Sequence, residues 1–303
     1  MHFNRTFIPG SEWLYFKIYT GTKTADFLLK YVYYPWIREL QDKTIVDQWF
    51  FIRYSDPDFH IRIRMHLIDS HNFTDVFQKF HKVSDSMVHQ GLVWKIQCDT
   101  YEREIERYGI DTIQMAERCF HIDSEAIVDL LIAMKPETIE EQLRWIISLL
   151  LIDSVLTSFS FNDQKRKEFF TELSESYKKR FGFTHHEQKK QLDAKFRTHK
   201  SIINNCMEAE ETGILPVHFR TIIKKRQFIL LDIARQITEI INEKNETRLL
   251  NSIISGIIHM TMNRLFRSKA NLYELVIYDF MHRYYVSKIA RNDHKIKKEN
   301  GPK

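Results

Sequence analysis

Residues 49–67, WFFIRYSDPDFHIRIRMHL, end in a run that alternates basic and apolar side chains: His60, Arg62, Arg64 and His66 share one parity, and Phe59, Ile61, Ile63, Met65 and Leu67 the other. A strand sends successive side chains to opposite faces, so this pattern predicts one greasy face and one face carrying four basic or titratable groups in a row. Arginine recurs at Arg103 within YEREIERYG, flanked by Glu102 and Glu104, and Tyr15, Tyr19 and Tyr101 fall on the polar parities of their own stretches. A solvated sheet surface is the bland alternative. Guanidinium forks set among tyrosine rings are better suited to a planar anion, because they pair bidentately with carboxylate and stack on aromatic faces.

A second group of residues lies in SIISGIIHMTMNRLF. At helical spacing Ser252, Ser255, His259 and Asn263 stand at i, i+3, i+7 and i+11, a polar stripe on an otherwise apolar segment. Histidine titrates near neutrality and can move a proton, with Ser255 and Asn263 in reach to fix its tautomer; a core histidine satisfied by a hydroxyl is the competing reading. Arg264 directly follows the stripe, and a buried guanidinium there requires an anionic partner or a site. Metal-ligand spacing is lacking at His185 and His186 and at His60 and His66, and no Gly-rich phosphate loop, nucleophile elbow or HExxH occurs. Cys98, Cys119 and Cys206 are odd in number and widely spaced, which argues against a disulfide framework and suits a reducing compartment.

The elements that must position these groups are legible in outline. Leu14, Phe16 and Ile18 alternate against Trp13, Tyr15, Lys17 and Tyr19; residues 49–55 and 59–67 form a hairpin turned by Ser55, Asp56, Pro57 and Asp58; and residues 94–104 read as one further strand carrying Tyr101 and Arg103 on its polar parity. Between them, residues 24–41 have helical spacing through Phe27, Leu28, Tyr31 and Val32, with a break or restart at Pro35, and residues 72–92 form an amphipathic helix ending near Gly91. From Ser124 onward the pattern is helical: Asp123 or Ser124 caps one helix, Thr138 and Glu141 form a capping box for the next, Asn162 opens a helix that Gly182 closes, and residues 184–200 are polar almost all round. The expectation is an α+β fold, an antiparallel sheet of about four strands in the N-terminal third packed with a mainly helical C-terminal two thirds. It forms one domain over residues 1–303, with a frayed basic tail from about 292.

Composition narrows the function classes. A net charge of +5 over 303 residues permits an anionic ligand and falls short of a nucleic-acid footprint. The longest apolar run, residues 146–156, contains Ser148 and Asp153 and is shorter than the ~20 residues that span a bilayer. The N-terminus lacks the apolar stretch of a signal peptide, so a cytoplasmic location is expected.

Taken in order, PGSEWLYFKIYTG, WFFIRYSDPDFHIRIR, YEREIERYG followed by AERCFHIDS, and HMTMNRLF resemble the C-terminal elimination domain of class I lantibiotic dehydratases, also found as a stand-alone protein in thiopeptide-type bacteriocin pathways. The resemblance runs from about Phe7 to about Tyr285. It implies a lyase of ribosomally synthesised peptide biosynthesis that eliminates glutamate from glutamylated Ser and Thr of a precursor peptide, leaving dehydroalanine or dehydrobutyrine, without cofactor or metal. A separate glutamyl-tRNA-dependent protein would supply the glutamylated peptide; oligomeric state is left open, a homo-oligomer included. Motif by motif, the family's functional arginines fall on Arg62, Arg64 and Arg103, its histidine on His259, and its acidic residue on Glu102 or Glu104. Ile110 stands where the family pattern has a second glycine after RYG. Two alternatives remain beside elimination: a pyridine-forming [4+2] cyclase of thiopeptide type, whose members are expected to lose part of the arginine set, and a non-catalytic subunit that docks the precursor.

Overall fold

Alternation in the first third of the chain does become a sheet. The computed structural model describes residues 4–134, 140–183, 185–208 and 214–299. Its strands are β1 (Thr6–Phe7), β2 (Trp13–Thr20), β3 (Val46–Ser55), β4 (Phe59–Leu67), β5 (Val93–Cys98) and β6 (Tyr101–Glu102). Four of them form an antiparallel sheet in the order β3-β4-β2-β5, and β1 pairs with β6 alone. The expected strand over 94–104 is therefore two strands. Asp99 interrupts it, its carboxylate accepting from the Thr100 N–H at 2.8 Å, a local turn that competes with the ladder.

Two compact units divide the chain, one of Met1–Lys135 with Arg235–Ser268, the other of Pro136–Ala234 with Lys269–Lys303. In the first unit the helices are α1 (Thr22–Leu28), α2 (Tyr34–Asp42), α3 (Phe73–His89), α4 (Ile105–Tyr108) and α5 (Ile113–Ala133). A π-helical turn, Leu29–Tyr33, joins α1 to α2, and Pro35 sits in the first turn of α2, where its missing N–H is not needed. Of the residues at helical spacing, Phe27 and Tyr31 are 42% and 53% exposed, while Leu28, Leu29 and Tyr33 are buried. On the core side of the sheet Phe16 stacks on Phe80 of α3 at 3.7 Å between centroids, with Tyr33 against the same ring. Gly91, with φ +69°, follows α3 as expected.

α5 begins ten residues before the expected cap. Ser124 lies inside it, its hydroxyl donating to the Phe120 carbonyl at 2.7 Å and accepting from the Phe51 N–H at 3.2 Å. The second unit is helical: α6 (Glu140–Ser158), α7 (Asp163–Arg180), α8 (His186–Glu208), α9 (Val217–Glu243, continuing into the first unit) and, after α10 (Thr247–Leu265) of the first unit, α11 (Ala270–Glu299). Asn162 caps α7 by accepting from the Lys165 N–H at 2.9 Å, and Gly182, φ +70°, ends it. The polar stretch forms α8 by burying Leu192, Phe196, Ile203 and Cys206. Thr138 of the expected capping box lies outside the described residues, and the tail expected to fray from about 292 continues α11 to Glu299.

Side chains, rather than another strand, close the outer edge of β3. His121 Nδ1 faces the Trp49 N–H and carbonyl at 3.3 and 3.1 Å, and Arg264 Nε donates to the Phe51 carbonyl at 2.8 Å. Asn263 both accepts from the Arg53 N–H and donates to the Arg53 carbonyl, at 2.8 Å each. An open edge leaves backbone donors and acceptors unpaired, and these three side chains of α5 and α10, with Ser124 as a fourth, supply partners along it. The same bonds fix α10, and with it His259, beside the sheet.

Candidate active site

Cross-strand register puts Arg64 between Tyr15 of β2 and Phe50 of β3. Its guanidinium carbon lies 4.4 Å from the Tyr15 ring centre, 4.9 Å from Tyr101 and 5.4 Å from Phe50. Aromatic faces hold the cation by their quadrupoles but satisfy none of its hydrogen-bond donors. Arg64 Nε is buried with no hydrogen-bond partner, and no ion pair reaches Arg64 among the described residues. A cavity of about 30 Å³ opens here, lined by Phe50, Arg64, Tyr101, Glu104, Tyr108 and Met260 among others. It has room for a small group such as one end of a carboxylate.

Arg62 lies two residues back on the same face. Its Nε donates to His60 Nε2 at 3.0 Å, and its guanidinium lies over the Tyr54 ring at 3.5 Å. His60 is fully buried, and burial, with the Arg62 charge helping, pulls its pKa below the ordinary value of 6.5. At the far end of the row His66 Nδ1 meets Asp47 Oδ1 at 2.7 Å. The face is thus not one open cationic strip. Trp13, Tyr15, Tyr19, Phe50 and Tyr101 on or beside it are all buried, leaving Arg62 and Arg64 partly exposed among them.

The third motif is split by burial. Arg103 makes a two-pronged pair with Glu117, Nε to Oε1 and Nη2 to Oε2 at 2.7 Å each, and donates to the Asn4 carbonyl at 3.0 Å. Tyr101 donates to the same carboxylate at 2.7 Å, so Arg103 and Glu117 together hold the Tyr101 ring that flanks Arg64. Glu102 and Glu104 are both exposed; Glu102 pairs with Arg5 at 3.3 Å, while Glu104 stands 3.8 Å from Arg107 and also lines the Arg64 cavity. The two acidic candidates are separated by position. Gly109 carries the left-handed turn, φ +75°, and Ile110 is an exposed residue after it, so the turn forms without a second glycine.

Close approach of α4 to α10 depends on Gly256. A Cβ there would stand 2.9 Å from Tyr108 Cε1 and 3.2 Å from Arg107 Nε. The sequence carries no signal for Arg107 or Tyr108 and marks Gly256 only as a glycine inside an apolar helix. One turn on from Gly256, His259 is half-buried and neighbours Met260 of the cavity lining; a further turn reaches Asn263 and Arg264. Arg264 has the anionic partner its position requires, Asp123 Oδ2 at 3.0 Å, with both side chains buried. Asn263, expected to orient His259, has both ends of its amide on Arg53 instead, and Ser255 donates to the Ser252 carbonyl.

Among the described residues no cluster of three or more His, Cys, Asp or Glu could hold a metal ion, and no helix is long and apolar enough to cross a membrane. Cys98, Cys119 and Cys206 are free thiols. Subtilin biosynthesis protein SpaB of Bacillus subtilis is 25% identical over 95% of this chain, which spans 27% of that protein's length. The crystal structure of the tRNA-dependent lantibiotic dehydratase MibB from Microbispora sp. 107891 superposes with a TM-score of 0.71 at 17% identity, covering 94% of this chain and 29% of that one. Pyridine synthase TbtD from thiomuracin biosynthesis shares the fold, with a TM-score of 0.56 at 10% identity over 92% of this chain and 99% of its own. Residues 13–285, which hold the arginine strand, the Glu104 turn and the His259 helix, match the family described as lantibiotic biosynthesis dehydratase C-term, and the chain belongs to that family.

Proposed function

We propose that this chain eliminates glutamate from glutamylated Ser or Thr residues of a precursor peptide. The observation that carries the reading is Arg64, a guanidinium held by three aromatic rings with no anionic partner among the described residues, at a cavity shared with Glu104 and bordered by the helix of His259. Elimination breaks the Cα–H and Cβ–O bonds and forms the Cα=Cβ bond; glutamate departs with the Cβ–O electron pair, and charge builds transiently on the peptide carbonyl. Arg64 and Arg62 meet the departing carboxylate or that developing charge with preorganised donors. His259 takes the Cα proton. Glu104, rather than Glu102, is the acidic residue at the site. Arg103 serves indirectly, by holding Tyr101 through Glu117.

Incubating the protein with a synthetic glutamylated peptide tests this. Release of free glutamate, with a peptide mass lower by one glutamic acid and a new dehydro residue, is expected. Binding without mass change would make the chain a docking subunit, and conversion only of a bis-dehydroalanine peptide to a pyridine would make it a cyclase.

A further inference from the structure

His60 makes two contacts that leave its ring one protonation state. Nδ1 lies 2.9 Å from the Asp58 carbonyl, which can only accept, so Nδ1 carries the hydrogen. Nε2 lies 3.0 Å from Arg62 Nε, which can only donate, so Nε2 is bare. The imidazole is therefore neutral. It converts the Asp58 carbonyl of the β3–β4 turn into an acceptor for Arg62. The ring is fully buried between Tyr19, 4.6 Å away, and Tyr54, 5.6 Å away, and the Tyr54 ring also underlies the Arg62 guanidinium. Nε is thus pinned by His60 and the guanidinium plane by Tyr54, while Nη1 and Nη2 have no hydrogen bond or ion pair among the described residues. Lys17, opposite Arg62 on β2, is paired with Asp99, and Asp56 in the turn is the other charged group acting on His60.

We infer that His60 is a positioning residue for the reaction proposed above: its neutral ring aims the free edge of the Arg62 guanidinium at the departing carboxylate. A ring that served only to fill space would do so through its tilted contacts with the Tyr19 and Tyr54 rings, which phenylalanine reproduces. The two roles separate on the acceptor nitrogen. His60→Phe keeps a flat ring and removes the acceptor; His60→Gln gives up the ring and places an amide oxygen near the position of Nε2.

In the full chain, His60→Phe should lower kcat/KM for a glutamylated peptide by about tenfold, the scale of one lost hydrogen bond, with the thermal midpoint little changed, and His60→Gln should restore most of it. Equal impairment of both variants, or full turnover by His60→Phe, would overturn the inference. Wild-type protein gives an arm that needs neither substrate nor variant. In a ¹⁵N-resolved titration the Arg62 Nε–H resonance should shift and its exchange accelerate as His60 protonates; an Nε–H signal insensitive to that titration would also overturn it. Because this arm reads the bond itself, it stays informative if the chain shows no elimination and the functional reading fails.

Discussion

Asn263 and Arg53 stand far apart in sequence and are joined by two hydrogen bonds of 2.8 Å, the amide oxygen of Asn263 on the Arg53 N–H and its nitrogen on the Arg53 carbonyl. A side chain here completes the ladder that a fifth strand would otherwise provide. Arg53 itself turns to the core side and pairs with Asp26 of α1 at 2.6 Å, and Asp26 also takes Arg267, likewise at 2.6 Å. The end of α10 is thereby tied both to the edge of β3 and to the helix following β2.

Asn263→Ala should leave the Arg53 backbone groups unsatisfied and lower the unfolding free energy by about 1–3 kcal/mol. Urea unfolding checks this. Elimination should fall along with stability, since the same bonds set the register of α10 and hence of His259. A midpoint equal to the parent's would show that water replaces the amide without loss.

Two arginines of the motifs should give opposite readouts. Arg103→Ala strands the buried Glu117 carboxylate and is expected to destabilise by about 3–5 kcal/mol. Arg64→Ala removes only stacking, on the order of 1 kcal/mol, and should abolish most turnover while the protein stays folded. Thermal midpoint and glutamate release measured on both variants check the proposed roles; loss of turnover without loss of stability in Arg103→Ala, or the reverse in Arg64→Ala, would overturn them.

His259→Ala should slow elimination by roughly 10²–10⁴ if the imidazole takes the Cα proton, while binding of the glutamylated peptide survives through the arginines. Mass spectrometry of single-turnover mixtures would then find the ester accumulating. Normal glutamate release from a folded variant would remove His259 from the mechanism.

Gly256→Ala sets helix propensity against packing. Alanine favours the helix by about 1 kcal/mol, but its Cβ meets the Tyr108 ring at 2.9 Å and Arg107 Nε at 3.2 Å. Tyr108 is buried, so the ring has little room to yield, and overpacking of about 1–3 kcal/mol should win. A lower thermal midpoint is expected. A higher one would mean α4 shifts freely.

Stability should fall as the medium is acidified below about pH 6.5. Burial lowers the pKa of both His60 and His121 from the ordinary 6.5, so in that window the unfolded chain binds protons that the folded one refuses. The stabilisation from their neutral rings is complete above the unfolded value and is lost as pH falls toward the depressed folded values. Urea midpoints between about pH 7 and pH 5 check the slope, and His121→Gln should flatten it.

Periodicity in the sequence was enough for the hairpin, the β2 strand, α10 and the caps at Asn162 and Gly182, because alternation and helical spacing are local and each burial face is repeated several times over. It also placed Arg62 and Arg64 on one face and His259 on a polar stripe. Residue order alone could not separate Glu102 from Glu104, because both are exposed acidic residues one position from Arg103 and only their neighbours differ: Glu102 meets Arg5, and Glu104 borders the Arg64 cavity. Nor could it find the π turn at Leu29–Tyr33, the start of α5 well before Ser124, or the Asp99 break that takes Tyr101 out of the sheet and lays its ring beside Arg64. Tertiary structure decided which of the arginines has an internal carboxylate partner. Glu117, on a helix later in the chain, comes back to claim Arg103, while no carboxylate among the described residues reaches Arg64. A guanidinium has the same intrinsic chemistry at every position, and whether its donors are spent inside the protein or left for a substrate depends on which distant side chains the fold brings within 3 Å of it.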